Sequence, residues 1–100
     1  MPISDIHACI LQKQYRISEH AIKRMIGRAI ERIEAVEAIL NGEIIEEYPD
    51  DKYSPSCFIY GKTNAGRDLH IQVSLPPRVI IITTYDPDPG KWIDCRVRRS

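Results

Sequence analysis

The chain holds 100 residues, 43% of them hydrophobic and 28% charged, with 14 basic residues balanced by 14 acids. That is the size and make-up of one globular domain over residues 1–100, and it excludes a disordered chain. No apolar run approaches the roughly 20 residues of a membrane span.

Met1-Pro2-Ile3-Ser4-Asp5 has no basic patch followed by an apolar stretch, so no secretory signal is expected. Cys9, Cys57 and Cys95 are scattered and odd in number, which argues against a disulfide framework and for a reducing cytoplasm. No CxxC or HExxH spacing occurs, and neither a metal nor a cofactor is expected.

Ile3, Ile6, Ile10 and Leu11 recur at helical spacing and predict a short amphipathic helix from Ser4 to Gln12. Tyr15-Arg16-Ile17 is extended. Ser18 is a good N-cap, because its oxygen can accept from the free amides of the next turn. The helix it opens runs from Glu19 to about Ala29, with Ala21, Ile22, Met25, Ile26 and Ala29 on its apolar face. A second helix, from about Glu31 to Asn41, should bury Ile33, Val36, Ile39 and Leu40 and stop at Asn41-Gly42. It lacks a Ser or Thr cap, so the expectation is that the two helices run together or bend between Gly27 and Ile30.

Beyond Gly42 the period changes to two. Glu43 to Tyr48, Cys57 to Gly61, Asp68 to Leu75 and Val79 to Tyr85 read as strands rich in β-branched and aromatic residues. Asp88 before Pro89 suggests a short terminal helix carrying Trp92, which would anchor it to the sheet. The expected class is α+β, with N-terminal helices packed on one face of a four-stranded antiparallel sheet and a short C-terminal helix.

Charge is unevenly spread. Lys13 to Arg28 holds five basic residues and one acid, Glu31 to Asp51 holds eight acids and one base, and Arg96-Val97-Arg98-Arg99 is basic again. On the first of the two long helices His20, Arg24 and Arg28 fall four apart along one stripe, bordered by Lys23. Such a stripe is either a solvated basic face or an anion site whose natural guest is phosphate.

In the third strand Leu69, Ile71, Val73 and Leu75 face the helices, and Asp68, His70, Gln72 and Ser74 face the other way. A two-residue Pro76-Pro77 connection would set His70 opposite Thr83 and make His70 and Tyr85 diagonal neighbours. His70 is either a strand histidine satisfied by a cross-strand partner or a group that passes protons near neutral pH. Cys57 is expected in the core. Cys9 and Cys95 lack the neighbouring bases of a tuned thiolate.

The run from Tyr15 to Arg28, the segment Ala38 to Ile45, and Tyr85-Asp86-Pro87-Asp88-Pro89 through Trp92 resemble a small bacterial family known as domain of unknown function four-two-five-eight. The resemblance extends from about Ile6 to Arg96. It implies a place in the RelE-like toxin nuclease group: compact α+β domains, commonly toxins of toxin–antitoxin pairs, with relatives encoded beside a zinc-ribbon antitoxin of the MqsA type.

The implied chemistry is metal-independent RNA cleavage through attack of the 2′-hydroxyl on phosphate. The positions that match are His20, Arg24, Arg28, His70 and Tyr85. On that pattern Arg24 and Arg28, with Lys23 beside them, would hold phosphate. His20 and His70 would move protons, and Tyr85 would act as acid or orienting group. The group tends to be strongly basic and this chain is neutral, which weighs against a mode dominated by ribosomal phosphate contacts.

Two other readings stand beside this one. The chain could be a non-enzymatic protein-binding module, or a toxin that blocks a protein target, acting through its charge-split surface. It could also be a small domain whose histidines are structural.

Overall fold

The computed structural model describes residues 3–52 and 54–100. The first helix, α1 (Ile3–Leu11), turns Ile6 and Ile10 inward, four residues apart on one face. The chain then extends as β1 (Tyr15–Ile17) and enters α2 (Glu19–Gly27) at Ser18, whose hydroxyl accepts from the Ala21 amide at 3.0 Å.

The two long helices do not run together; the chain turns between Gly27 and Ile30, the other of the two expectations. Ala29 adopts a left-handed φ of 52°, which ends α2, and α3 (Arg32–Leu40) starts afresh. Glu31 occupies the cap position, and the Glu34 carboxylate reaches back to accept from its amide at 2.9 Å. The capping chemistry is there in a form that a search for Ser or Thr misses.

Four strands follow: β2 (Glu43–Tyr48), β3 (Ser56–Lys62), β4 (Asp68–Ser74) and β5 (Val79–Tyr85), each antiparallel to the next. β1 adds to β5 in parallel, Tyr15 facing Val79 and Ile17 facing Ile81. The sheet is therefore five-stranded and mixed, in the order β1-β5-β4-β3-β2. This corrects the expected four-stranded antiparallel, RelE-like sheet. Three extended residues become a strand only through a partner more than sixty residues away, and no local pattern carries that pairing.

The expected terminal helix is replaced by a second, two-stranded sheet, β6 (Trp92–Ile93) with β7 (Val97–Arg98). Asp94 and Cys95 both take positive φ, 50° and 62°, and the Arg96 amide closes the turn on the Ile93 carbonyl at 3.0 Å. Two consecutive left-handed residues make the hairpin turn whose twist matches paired strands. Asp88 still acts as a local cap, accepting from Gly90 at 2.8 Å, but the turn it starts does not propagate.

One face of the large sheet carries the core. Ile59, Leu69, Ile71, Val73, Val79 and Ile81 pack there under Ile6, Ile10, Ala21, Met25 and Ile39 of the helices. α3 sits close because small residues meet there. A Cβ on Gly61 would fall 1.8 Å from the Ala38 carbonyl oxygen.

Ala35 and Ala38 are fully buried at this contact, and the larger Ile33 is turned out, 55% exposed. Ile22 and Ile26 of α2 are likewise exposed, Ile26 to 76%, instead of lying in the core as their spacing suggested. No helix among the described residues is long and apolar enough to cross a membrane.

Candidate functional site

On the sheet face away from the helices, the geometry is set by one irregularity. Val73 pairs with Ile81, but Gln72 pairs with Thr83, so Ile82 is an extra residue in β5. A bulge of this kind reverses the alternation beyond it. Val79 and Ile81 point into the core. Thr83 and Tyr85, which an unbroken strand would place beside them, come out on the opposite face.

Tyr85 thereby lands directly across from His70 rather than diagonal to it. The reversal has a cost. Thr84 turns inward with its hydroxyl fully buried, and no hydrogen-bond partner among the described residues reaches it.

His70 is completely buried beneath the C-terminal hairpin, edge-on to the Trp92 ring at 4.4 Å. Its Nε2 lies 2.6 Å from the Cys95 carbonyl oxygen. A carbonyl only accepts, so Nε2 carries the proton and Nδ1 of the neutral ring is an acceptor. Nδ1 faces the Tyr85 hydroxyl at 3.3 Å, which must then donate to it.

Burial lowers the His70 pKa below its ordinary value, overcoming the opposing pull of the Cys95 carbonyl, and keeps the ring neutral. Burial also raises Tyr85, so the phenol stays protonated. The pair is a fixed O–H···N unit with a defined direction.

Arg28 reaches this unit from the helix side. β1 covers only Val79 to Ile81, which leaves the end of β5 as an open edge. Arg28, just beyond α2, donates there to the Thr84 carbonyl at 2.8 Å and sits 6.0 Å from the centre of the Tyr85 ring. A cleft opens beside them, lined by Arg28, Tyr85, Lys91, Trp92 and Arg98 together with Asp86 and Asp88.

Asp86 is neutralised by a two-pronged contact from Arg67 (2.8 and 2.9 Å), which holds its carboxyl below the usual range. Arg98 is tied to Glu46 at 2.8 Å. Burial alone would raise Glu46, but hydrogen bonds from Arg98 and Tyr48 hold it low. With these pairs closed, Arg28 and Lys91 stand against the single carboxylate of Asp88 and leave the cleft a positive surplus of one charge, next to a phenol backed by an imidazole. Such a cleft suits an anion with a transferable proton beside it.

Of the residues singled out from sequence, Arg28, His70 and Tyr85 come together. His20, Lys23 and Arg24 do not join them. All three are exposed on α2, in the layer on the opposite side of the sheet from His70, and none lines the cleft. Lys91, Arg98 and the Arg67–Asp86 clamp were not singled out. The basic tail was visible as charge, but its contact with the acidic β2 depends on the hairpin.

Cys57 is buried, with its thiol pushed up to about 11 by burial. Burial raises Cys95 as well. Among the described residues no three His, Cys, Asp or Glu side chains cluster as a metal would require.

The fold and cleft define a small α+β protein with a cationic, phenol-bearing pocket at the end of a bulged strand. The chain belongs to the family described as domain of unknown function DUF4258, whose model matches residues 17–86. That span includes Arg28, His70 and Tyr85 and stops short of the hairpin that supplies Lys91, Trp92 and Arg98. Neither the curated proteins nor the solved structures give a match.

Proposed function

We propose that the chain is a metal-independent endoribonuclease that cleaves RNA by attack of the 2′-hydroxyl on the adjacent phosphate. The observation that carries this reading is the directed contact from the Tyr85 hydroxyl to the buried Nδ1 of His70, set in a cleft with Arg28 and Lys91. In this scheme a phosphodiester rests against Arg28 and Lys91, with Tyr85 at the 2′-oxygen.

The 2′-proton passes to the Tyr85 oxygen as the Tyr85 proton passes to His70. The O2′–P bond forms, the P–O5′ bond breaks, and Lys91 or water protonates the departing oxygen. The imidazolium so formed keeps its Nε2 proton on the Cys95 carbonyl, and the two cations offset charge on the phosphorane. His70 is here a positioning and proton-storing residue behind Tyr85 and does not itself touch the substrate.

The toxin group that the family resemblance implies adds a further reading: a toxin of a toxin–antitoxin pair acting in the cytoplasm, restrained by a cognate antitoxin, for which the zinc-ribbon MqsA type is the candidate.

The test is cleavage of a labelled single-stranded RNA in excess EDTA. Wild-type protein should cut to a 2′,3′-cyclic phosphate. Tyr85→Phe should lose about a hundredfold or more, the usual contribution of a positioned proton donor or acceptor. Arg28→Ala should lose activity, while His20→Ala and Arg24→Ala, away from the cleft, should keep it. Growth arrest on induced expression, absent in Tyr85→Phe, tests the toxin reading. Silence of the wild type both on free RNA and on ribosome-bound message would overturn the nuclease.

A further inference from the structure

On the helix side lies a second surface that the cleft does not use. Ile22 and Ile26 stand exposed on α2, and between them and β1 runs a groove floored by Ile17, Met25 and Ile30. It continues past Tyr15 and Arg32 into a second apolar groove bearing Leu11 and Ile33, both exposed. Four large aliphatic side chains left in water on adjoining faces of a 100-residue chain make a contiguous patch of the kind that marks an interaction site.

The groove runs along an unpaired strand edge. β1 is the outermost strand of its sheet, with β5 on its other side. The Ser18 amide donates to the Ile81 carbonyl, so Arg16, two residues earlier, turns its amide the same way. By alternation the Tyr15 and Ile17 backbone groups point away from β5 along the open edge. Such an edge is a template for another strand.

The charges say what kind. Lys13, Arg16 and Arg32 line the two grooves, and among the described residues no carboxylate does. Arg32 lies over the Tyr15 ring and donates to its hydroxyl at 3.0 Å. A second copy of this chain does not suit the place. Pairing β1 with its own symmetry mate would gather Arg16, Lys13 and Arg32 against the same cations. The acidic edge of the sheet, β2, has Glu43 and Glu46 already engaged by Arg96 and Arg98 of its own chain.

The geometry points to a docking site for an acidic, extended segment of a different protein. The segment adds as a sixth strand on β1, lays alternate apolar side chains on Ile22 and Ile26, and turns the carboxylates between them to Arg16 on the other face. This inference does not depend on the cleft being a nuclease.

Fluorescein-labelled peptides of about nine residues test it by anisotropy, one alternating valine with glutamate and one alternating valine with lysine, on the full chain. The glutamate peptide should bind at least about tenfold more tightly, and its binding should weaken as salt rises. It should be lost in Ile26→Asp, an exposed position whose change leaves the circular dichroism intact. Arg16→Glu should reverse the preference, and amide exchange at Tyr15 and Ile17 should slow on binding.

Equal binding of both peptides would overturn the proposal. So would binding that survives Ile26→Asp, or a wild-type dimer that Ile26→Asp splits. RNA cleavage by Ile26→Asp, read in the same preparations, should be unchanged, so the two readings fail separately.

Discussion

His70 shows how much one side chain's meaning depends on what covers it. On a bare strand it would titrate in water. Under Trp92 and the Cys95 carbonyl it is a neutral, oriented acceptor. Its folded pKa lies below its ordinary value of 6.5, so between those two values the unfolded chain binds more protons than the folded one. The His70 contribution to stability is therefore complete above about pH 6.5 and is lost as the pH falls toward the folded value, at no more than about 1.4 kcal/mol per pH unit. Urea titrations from pH 7.5 to 5 should show this slope in wild type, and His70→Gln should remove it. Glu46, Asp68 and Asp86, all held low by their cationic partners, begin their own loss only below about 4.5, the highest of their ordinary values, in both proteins.

At the level of elements, the breaks are as informative as the elements themselves. The Ile82 bulge carries Tyr85 to the cleft, and the left-handed Ala29 separates α2 from α3 so that Arg28 can turn toward the open end of β5. Both are local departures from regular geometry at the place where function is proposed, which is where such departures concentrate. Ala29 is exposed and carries a φ that costs an L-residue about 1 kcal/mol. Ala29→Gly should therefore stabilise the protein by about that amount, less a few tenths for the freer unfolded chain. Its unfolding midpoint should rise with an unchanged denaturant slope.

At the scale of the whole molecule, Arg67 joins the two layers. From the start of β4 it donates to the Ala29 and Arg28 carbonyls (2.9 and 3.1 Å), to Asp86 beside the cleft, and to Glu34 of α3 (3.3 Å). One planar guanidinium thus ties the helix break to the end of β5. Arg67→Ala should cost about 2 kcal/mol, a figure tempered by partial exposure, and should loosen Arg28 with it. Arg67→Lys should restore less than half, because an ammonium cannot make the two-pronged contact to Asp86 while reaching both carbonyls. Thermal melts of the two variants, read beside RNA binding, check this.

The α+β class, the Ser18 cap, the alternation of β4 and the family were all legible along the chain, because each rests on neighbours within a few residues. So was the strand face of His70, though not its register with Tyr85, since one bulged residue shifts it. The parallel placement of β1, the hairpin at Trp92 and the exposure of Ile22, Ile26 and Ile33 were settled only by tertiary structure. The deciding partners are distant: Val79 for Tyr15, His70 for Trp92 and, for α3 with its exposed Ile33, Gly61 against Ala38. Local sequence determines which faces of an element are apolar. Which of those faces is covered depends on how closely its neighbours can approach, and for α3 the small residues at its contact with β3 made that choice.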